Sequence, residues 1–458
     1  MKPWTPEKVA SAAGATLHAG SAAVGGPELA TIDSRLAGPG ALFVGLPGAN
    51  ADGGAFAAKA LEAGAWGVLV TPEHAERLAD QAHAGVVLAA EDPLKSLQKL
   101  ATAWRRELGA QVIGVTGSTG KTSTKDLLLA VLAPHRRAVA SRGNFNTEIG
   151  MPLEILNAPA GTEVLVLEMG MRGAGQIAEL AEIAEPDVAV IVSIGPVHLE
   201  LMGTIEAIAA AKAELIAGLL AGGTAVIPAG EPLLGPHLRT DVRTVTFGPG
   251  GDVKLIEAGD EPAGDRVTID AQGERIMLEV PFTQAHLRSN LLAAVAAARA
   301  VGVTPDGRVE LALTAGRGQR YITPSRVTVI DDCYNANPIS MRAALDDLKA
   351  TAAATDSSRR VAVLGDMLEL GPAEREFHAQ LGEQAAAAGV DVLVTVGPLA
   401  ASIADRFGGE THAVADAGEA AVVVPELLAP GDVVLVKASR GVGLELVCRA
   451  LGARKDDA

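Results

Sequence analysis

The sequence predicts an α/β protein of three domains: a small N-terminal α/β domain, a central doubly wound parallel-sheet domain and a C-terminal Rossmann-like α/β domain. First, a length of 458 residues suits about three domains of ordinary size. Second, short β-branched runs alternate with helical stretches, an order typical of parallel sheets covered by helices. Third, several of these runs are apolar throughout, as strands buried on both faces are. We therefore place the domains at residues 1–109, 110–313 and 314–458.

Composition argues against several classes of protein. The formal net charge of -17 is unlike that of a general nucleic-acid-binding protein, which carries a basic face. The N-terminal stretch lacks the apolar core of a signal peptide, and no run of about 20 apolar residues follows, so we expect a cytoplasmic protein without a membrane partner. Cys333 and Cys448 are far apart in the sequence, which predicts reduced thiols and no metal-ligand cluster.

The N-terminal segment predicts a small α/β unit. Its strands are expected at Ala41–Val44 and Trp66–Val70, with a helix at Phe56–Ala63 between them. From the residues alone, Arg35 and Asp52 could contact a ligand through charge and hydrogen bonds, or could be ordinary surface and turn residues.

The most informative stretch begins the central segment. A β-branched strand ends at Val115, and an apolar-periodic helix starts after the run Thr116, Gly117, Ser118, Thr119, Gly120, Lys121 and Thr122. In such a strand–loop–helix unit the backbone N–H groups and the helix N-terminus bind phosphate, the lysine reaches the terminal phosphates, and the threonine holds Mg²⁺. This pattern predicts a P-loop domain that binds a nucleoside triphosphate. Because Val115 stands where the strict eight-residue motif has glycine, an ordinary tight turn is the alternative interpretation.

Two further strands of the central segment lead into polar residues. Apolar runs are expected to form strands at Thr162–Glu168 and Asp187–Ile194, and residues 245–280 are typical of a β-hairpin. Because ligands bind at the carboxyl ends of strands in doubly wound sheets, Glu168 and the later His198 are candidate Mg²⁺ ligands. Imidazole suits magnesium less well than carboxylate, so His198 could act through water or be a structural histidine.

Polar residues elsewhere in the central segment have two interpretations each. The loop with Asn144, Asn146 and Thr147 offers neutral donors and acceptors for a sugar or an amide, but it would equally cap a helix. A helix expected at Ile205–Leu219 carries Lys212, whose simplest interpretation is a solvated lysine.

The third segment repeats the alternation. Strands are expected at Val327–Ile330, Val361–Leu364, Val392–Val396 and Val433–Val436. Asp332 follows the first of these strands and Lys437 follows the last. Two such sheet edges facing each other would enclose a cleft, the usual place of a multi-substrate site, and closure of that cleft would exclude water.

Seven runs of residues together resemble motifs of the Mur ligase superfamily. They are TGSTGKT at 116–122, GNFNTEIGMP at 143–152, LEMGMRGAGQI at 167–177, GPVHLE at 195–200, DDCYNANP at 331–338, GDMLELG at 365–371 and KASR at 437–440. Within the superfamily the chain is most similar to the ligases that join D-alanyl-D-alanine to a UDP-N-acetylmuramoyl-tripeptide. The Asp-Asn-Pro-Arg motif that marks the diamino-acid-adding relatives is absent from the sequence.

The resemblance implies a monomeric, ADP-forming amide ligase that uses ATP and Mg²⁺ and passes through an acyl phosphate. It implies nucleotide contacts from the loop at 116–122 and from His286, Asn290, Arg317 and Asp332. It implies catalytic roles for Lys121, Glu168, His198 and Lys212, with Thr122, Glu168, His198 and a carbamylated Lys212 as metal ligands. Substrate contacts are implied for Ser34 and Arg35 with the uridine diphosphate, for Asn144, Asn146 and Thr147 with the nucleotide-linked peptide, and for Tyr334, Asn335, Asn337 and Arg440 with D-alanyl-D-alanine.

The chain departs from the resembling motifs at four positions. Gly54 stands where many relatives have histidine, Cys333 where serine is common, Gln284 where glycine usually stands, and Pro228 where an asparagine is expected. None of these positions belongs to the phosphate chemistry, and they bear on the nucleobase contacts. The alternatives are a related ligase that adds glutamate to folate, a P-loop kinase or NTPase, and a nucleotide-regulated binding module.

Overall fold

The computed structural model describes residues 1–19, 25–49, 51–79, 85–259, 265–355, 357 and 359–453. Within those residues three β-sheets follow one another along the chain, each flanked by helices, so the three-domain α/β fold predicted from the sequence is confirmed. Among the helices of the same residues, none combines the length and the hydropathy that crossing a bilayer requires.

The N-terminal sheet has the strand order β1-β5-β4-β3-β2, and among the strands that the structure describes only β1 runs antiparallel to its neighbour. Its strands are β1 Thr16–Ala19, β2 Leu29–Thr31, β3 Ala41–Val44, β4 Gly67–Val70 and β5 Val86–Ala89, and its helices are α1 Pro6–Ala13, α2 Ala57–Glu62, α3 Pro72–Ala79 and α4 Pro93–Leu108. The predicted helix at 56–63 begins with a 3₁₀ turn at Gly53–Phe56, because the Asp52 carboxylate accepts a hydrogen bond from the Gly54 N–H at 3.0 Å.

The central sheet is larger and mixed. Its strands are β6 Gln111–Thr116, β7 Ala138–Ala140, β8 Val164–Glu168, β9 Val188–Ile191, β10 Thr224–Pro228, β11 Arg243–Phe247, β12 Val253–Ala258, β13 Asp265–Ala271, β14 Glu274–Val280 and β15 Gly307–Arg308. Its helices are α5 Lys121–Leu132, α6 Gly150–Asn157, α7 Gln176–Ala184, α8 Leu199–Met202, α9 Ile205–Ala217 and α10 Ala285–Ala300. The order is β15-β14-β13-β12-β11-β10-β9-β6-β8-β7. The predicted hairpin, β13 and β14, therefore extends the parallel sheet through antiparallel pairing with β12.

The C-terminal sheet has the order β16-β17-β21-β18-β19-β20, parallel except for β16. Its strands are β16 Gln319–Ile322, β17 Thr328–Asp331, β18 Arg360–Gly365, β19 Val392–Val396, β20 Glu410–Val414 and β21 Val433–Lys437, and its helices are α11 Pro338–Ala354, α12 Glu374–Ala387, α13 Ala417–Leu427 and α14 Glu445–Ala450.

Both faces of the central sheet are covered, as its apolar strands predict. Along β6, Val112 packs into the core that the central sheet shares with the N-terminal domain, whereas Ile113 and Val115 pack into the core beneath α5 and α10. Successive side chains of a strand point to opposite faces, so a strand buried on both faces must be apolar at nearly every position.

The strand predicted at 187–194 is shorter in the structure, where β9 ends at Ile191. Val192 still hydrogen-bonds to the end of β6, but the next residues leave the sheet. Ser193 bonds instead to the loop at 116–122, so the apolar run continues beyond the strand to form part of the site.

The two cysteines lie together in the third domain, which corrects the expectation of no cluster. Cys333 follows β17 and Cys448 lies on α14; both are free and buried. Their Sγ atoms and a carboxylate oxygen of Asp331 all lie within 4.8 Å of one another. Sequence separation provided no sign of this, because it is the packing of α14 that brings Cys448 back to β17.

Candidate active site

The phosphate loop at 116–122 starts at the topological switch point of the central sheet. β6 lies between β8 and β9, and ligands of doubly wound sheets bind at such a point. The N–H groups of Ser118 and Thr119 donate to the carbonyl and the hydroxyl of Ser193, both at 2.9 Å. The Ser118 hydroxyl also donates to the Gly195 carbonyl at 3.0 Å. The loop after β9 therefore fixes the conformation of the phosphate loop.

Helix α5 begins directly after this loop and turns its N-terminus toward the site. In the described structure the N–H groups of Lys121 and Thr122 have no backbone acceptor, as is usual for the first turn of a helix. Together with the positive end of the helix dipole, such N–H groups make an anion-binding site.

Gly120 is required by the conformation of the loop. Its φ of 78° lies in the left-handed region, which glycine adopts readily. A Cβ at this position would lie 2.8 Å from Asn290 Oδ1 and 2.9 Å from Val192 Cγ1. The glycine thus lets the phosphate loop approach helix α10 closely.

Lys121 is held within the loop. Its Nζ donates a hydrogen bond to the Gly117 carbonyl at 2.8 Å. Desolvation lowers the pKa of Lys121, while the charge of Glu168 opposes that shift. The ammonium therefore lies in a poorly solvated place, where its charge acts strongly on a bound phosphate.

Glu168 joins the phosphate loop to the neighbouring strand. In the sheet register it stands beside Val115, at the end of β8, and its side chain is buried. One carboxylate oxygen accepts a hydrogen bond from the Thr122 hydroxyl and the other accepts one from the Asn146 amide, both at 2.8 Å. Within the described residues no cationic side chain lies at ion-pair distance from this carboxylate.

One cavity brings together most of the residues predicted to contact the nucleotide. Of the predicted site residues, those lining it are Ser118, Thr119, Gly120, Lys121, Thr122, His286, Asn290, Arg317, Asp332, Asn335 and Asn337. The cavity lies between the central and third domains, where the Asn337 amide reaches the Ser118 carbonyl at 3.5 Å. Asn337 also caps α11 by accepting a hydrogen bond from the Ser340 N–H, so it has a structural role as well.

Lys437 is a further site residue, for which the sequence predicted no role. Its side chain is buried at the end of β21, and Nζ lies 2.6 Å from Oδ2 of Asp332 and 2.9 Å from the Asn335 carbonyl. It therefore fixes the loop that follows β17. The signal was present in the sequence, because a lysine ends an otherwise apolar strand.

Tyr334 and Arg440 line a neighbouring cavity rather than the cavity at the phosphate loop. The Tyr334 ring has the Arg317 guanidinium carbon 4.1 Å from its centroid and the Arg440 carbon 4.9 Å from it. A ring that contacts two guanidinium groups gains cation–π attraction and orients both of them. Arg317 lines the cavity at the phosphate loop and Arg440 lines the neighbouring one, so the contacts of both with Tyr334 connect the two cavities.

His198 contacts the third domain. Its Nδ1 is hydrogen-bonded to Oε2 of Glu369, which lies in the loop after β18. Desolvation lowers the pKa of His198, and the hydrogen bond with Glu369 opposes that shift. Glu369 was not among the predicted site residues, although it belongs to the GDMLELG run.

Lys212 is not a solvated lysine, the simplest interpretation from the sequence. Its side chain is buried in α9, and it forms no hydrogen bond or ion pair with the described residues. Desolvation lowers its pKa well below the usual value, and the charge of Lys121 lowers it further. A buried, unpaired amine is expected to lose its proton or to be modified.

Five predicted substrate residues, Ser34, Arg35, Asn144, Asn146 and Thr147, lie outside both cavities. Ser34 and Arg35 belong to the N-terminal domain, where Arg35 is exposed and pairs with Asp33 at 2.6 Å, holding the pKa of Asp33 at about 2. Asn144 is exposed, and the Thr147 hydroxyl accepts a hydrogen bond from the Gly150 N–H at 3.4 Å. Asn146 is the one of the five that contacts a predicted metal ligand, because its amide donates a hydrogen bond to Glu168.

The donor set around Glu168 fits magnesium. Thr122 and Glu168 offer hard oxygen ligands, which Mg²⁺ prefers, and Glu168 is a buried carboxylate that lacks an ion pair in the described structure. Buried charges of this kind are normally paired or bound to a metal.

Three family models match the chain. The Mur ligase family catalytic domain matches residues 28–105, the Mur ligase middle domain matches 115–298, and the Mur ligase glutamate ligase domain matches 316–440. The matches thus fall on the three sheets in turn.

Relatives and solved structures agree with these matches. A UDP-N-acetylmuramoyl-tripeptide–D-alanyl-D-alanine ligase of Bacillus subtilis strain 168 is 38% identical over 424 residues, covering 90% of this chain and 90% of the relative. The crystal structure of MurF from Acinetobacter baumannii has a TM-score of 0.84 and 28% identity, covering 98% of this chain and 99% of that one. MurF ligase from Thermotoga maritima in complex with ADP has a TM-score of 0.79 and 30% identity, covering 93% and 97%.

Proposed function

The chain belongs to the Mur ligase family, and we propose that it is the ATP-dependent ligase that joins D-alanyl-D-alanine to a UDP-N-acetylmuramoyl-tripeptide in peptidoglycan synthesis. The observation that carries the proposal is the cavity shared by the phosphate loop and by Asp332, Asn335 and Asn337 of the third domain. A nucleotide bound there would be enclosed by two domains, as a ligase that must protect an activated intermediate requires.

ATP is the proposed occupant of this cavity. Its phosphates would lie against the N-terminus of α5, with Lys121 and Arg317 supplying positive charge. His286, Asn290 and Asp332 would contact the rest of the nucleotide. The ADP complex of the Thermotoga relative supports this assignment.

Magnesium is proposed at Glu168 and Thr122, with His198 and a carbamylated Lys212 completing the ligand set. When bound, the metal would offset the negative charge of the phosphates. The two hydrogen bonds that Glu168 accepts orient its carboxylate before a metal binds.

The proposed reaction has two steps. A carboxylate oxygen of the tripeptide attacks the γ-phosphorus of ATP, the bond to ADP breaks, and an acyl phosphate results. The amine of D-alanyl-D-alanine then attacks the acyl carbon, phosphate leaves, and the nitrogen loses a proton. The first step brings two anionic groups together, and the second develops negative charge on the acyl oxygen and the leaving phosphate, so Lys121 and Arg317 contribute mainly by electrostatic stabilisation.

The substrates are proposed to approach from different domains. Ser34 and Arg35 would hold the uridine diphosphate, and the loop with Asn144, Asn146 and Thr147 would direct the peptide toward Glu168. Tyr334 would orient Arg440 toward the carboxylate of D-alanyl-D-alanine, because a guanidinium binds a carboxylate with two parallel hydrogen bonds. We propose that the protein acts as a monomer, and the nucleotide-linked substrate supports action in the cytoplasm.

Release of ADP tests the proposal. Purified protein is incubated with ATP, Mg²⁺, a defined nucleotide-tripeptide and D-alanyl-D-alanine, and then with each acceptor omitted in turn. We expect steady ADP release and a pentapeptide product only with both acceptors present. Equal ADP release without the amine acceptor would favour a P-loop NTPase, and activity with a folate acceptor instead would favour the glutamate-adding relative.

Replacing Lys121 tests the phosphate loop in the same assay. Lys121→Ala should lower kcat by about 100-fold or more with the fold intact, because one preorganised charge on the phosphates is lost. Lys59→Ala, at an exposed position of α2, is the matched control and should keep full activity. Normal turnover by Lys121→Ala would refute the assignment of this loop.

A further inference from the structure

A glutamate of the third domain contacts a histidine of the central domain. The Glu369 carboxylate is hydrogen-bonded to Nδ1 of His198, and the two residues lie 171 positions apart in the chain. The contact does not stand alone, since the Glu200 N–H donates to the Glu369 carbonyl at 3.3 Å. Main chain and side chain of Glu369 therefore both meet the segment at 198–200.

Both residues have an unusual backbone conformation. His198 has a φ of 54° and Glu369 a φ of 63°, in the left-handed region that residues other than glycine seldom adopt. Such conformations persist where the surrounding structure enforces them, and they are frequent at functional sites. Here the two strained residues are each other's partners across a domain boundary.

The loop that carries Glu369 is held firmly from within the third domain. Nε2 of the fully buried His378 accepts a hydrogen bond from the Met367 N–H at 2.9 Å. The Ser439 hydroxyl accepts one from the Leu368 N–H, also at 2.9 Å. The Glu369 carboxylate is thus presented to His198 by a fixed loop.

A carboxylate that accepts a hydrogen bond from Nδ1–H sets the tautomer of an imidazole. The proton stays on Nδ1, so Nε2 on the other side of the ring keeps its lone pair. Metal-binding histidines are commonly oriented by an acceptor in this way, and loss of such an acceptor weakens metal binding.

We propose that Glu369 is a positioning residue that holds His198 as the Nδ1–H tautomer with Nε2 free for magnesium, so that the metal site of the central domain is complete only when the third domain is docked. This inference rests on the proposed function, because that function supplies the metal at His198. It follows that the metal affinity of the central domain depends on whether the third domain, which is proposed to bind the amine substrate, is docked.

The test compares two substitutions of Glu369 in the full-length protein. Glu369→Met keeps an unbranched side chain of similar length but removes the acceptor, whereas Glu369→Gln keeps a carbonyl oxygen that accepts from Nδ1–H. Glu376→Gln is the control, since Glu376 is a solvent-exposed residue of α12 that pairs with Arg406 at 2.9 Å. Thermal unfolding establishes that each variant is folded.

Two measurements do not depend on turnover. The dissociation constant of Mn²⁺, used as a probe for Mg²⁺, is measured with a non-hydrolysable ATP analogue present. The tautomer of His198 is assigned from nitrogen-15 NMR of the histidine ring, with His198→Gln identifying the signal. We expect Glu369→Met to weaken Mn²⁺ binding by about 10- to 100-fold and to lose the Nδ1–H signature. Glu369→Gln and Glu376→Gln should stay within about threefold of the unmodified protein.

Unchanged Mn²⁺ affinity in a folded Glu369→Met variant would overturn the proposal, as would an Nε2–H signature in the unmodified protein. Either result would leave the proposed function standing, because the unmodified protein would still release ADP only with both acceptors. Conversely, an unmodified protein that does not ligate the two acceptors would refute the proposed function whatever the Mn²⁺ titration shows.

Discussion

The Thr122 hydroxyl donates a 2.8 Å hydrogen bond to Glu168, joining the first turn of α5 to the end of β8. Two groups that bind a magnesium ion well are therefore already in contact, one from the phosphate loop and one from the neighbouring strand. Because the second carboxylate oxygen bonds to Asn146, the same carboxylate connects the nucleotide side of the site with the loop assigned to the peptide substrate.

Glu168→Gln should lower kcat by about 100-fold or more, because the variant loses the buried negative charge proposed to hold the metal. In the variant an amide NH₂ group would also replace one carboxylate oxygen, which accepts a hydrogen bond in the unmodified protein. This donor would then face a second donor, either the Thr122 hydroxyl or the Asn146 amide. Steady-state ADP release checks this expectation. Glu163→Gln, at a carboxylate just before the same strand, is the control, and equal kcat values for the two variants would contradict the role of Glu168.

Gly120→Ala should destabilise the protein by about 2–4 kcal/mol, because it combines a left-handed φ with two close contacts. Gly109→Ala is a matched control: Gly109 has a φ of 64°, but a Cβ there would meet no atom of the described residues within 4 Å. That variant should lose only about 1 kcal/mol. Chemical denaturation measures both. Equal losses would show that the contacts with Asn290 and Val192 add nothing.

Lys212 should carry a carbamate. Burial and the charge of Lys121 lower its pKa, so the amine is neutral over a wider pH range, and a neutral amine adds CO₂ with loss of one proton. Carbon-13 NMR with labelled bicarbonate should show a carbamate signal that disappears in Lys212→Met and persists in Lys59→Met. A missing signal, together with activity that does not depend on CO₂, would exclude the modification.

His378 should make stability depend on pH. Desolvation lowers its pKa in the folded state, and the hydrogen bond with the Glu374 carbonyl opposes that shift. Protonation would also remove the Nε2 acceptor of the Met367 N–H. The stabilisation is fully present above the unfolded-state pKa of about 6.5 and is lost as the pH falls from there through the lower folded-state pKa. Thermal unfolding is measured from about pH 8 to about pH 5. The Tm of the unmodified protein should fall more over this range than the Tm of His378→Gln. Parallel curves would contradict this role.

The sequence predicted well what depends on local pattern. The strand–loop–helix unit at 111–132 could be predicted because each part has its own signal: β-branched residues, glycines at the turn, and apolar spacing in the helix. The end of β9 was predicted too late, since an apolar residue such as Val192, which packs beneath α5 and α10, looks the same in sequence whether or not the strand has ended.

Contacts between distant segments could not be predicted. Glu369 meets His198, and Cys448 meets Cys333, only because whole domains and helices pack in a particular way. Neither pair has a local periodicity or spacing that signals it. The burial of Lys212 was missed for a similar reason: its helix α9 is apolar on most of its surface, so the face that packs inward is poorly marked.

The central claim is that the chain activates a carboxylate with ATP and transfers the acyl group to an amine. It is tested most directly by labelling the terminal carboxylate of the nucleotide-tripeptide with oxygen-18 and following the label by mass spectrometry. If an acyl phosphate forms, one labelled oxygen passes to the released phosphate, and the pentapeptide product retains the other. Released phosphate without label, or labelled phosphate without any amide product, would contradict the account.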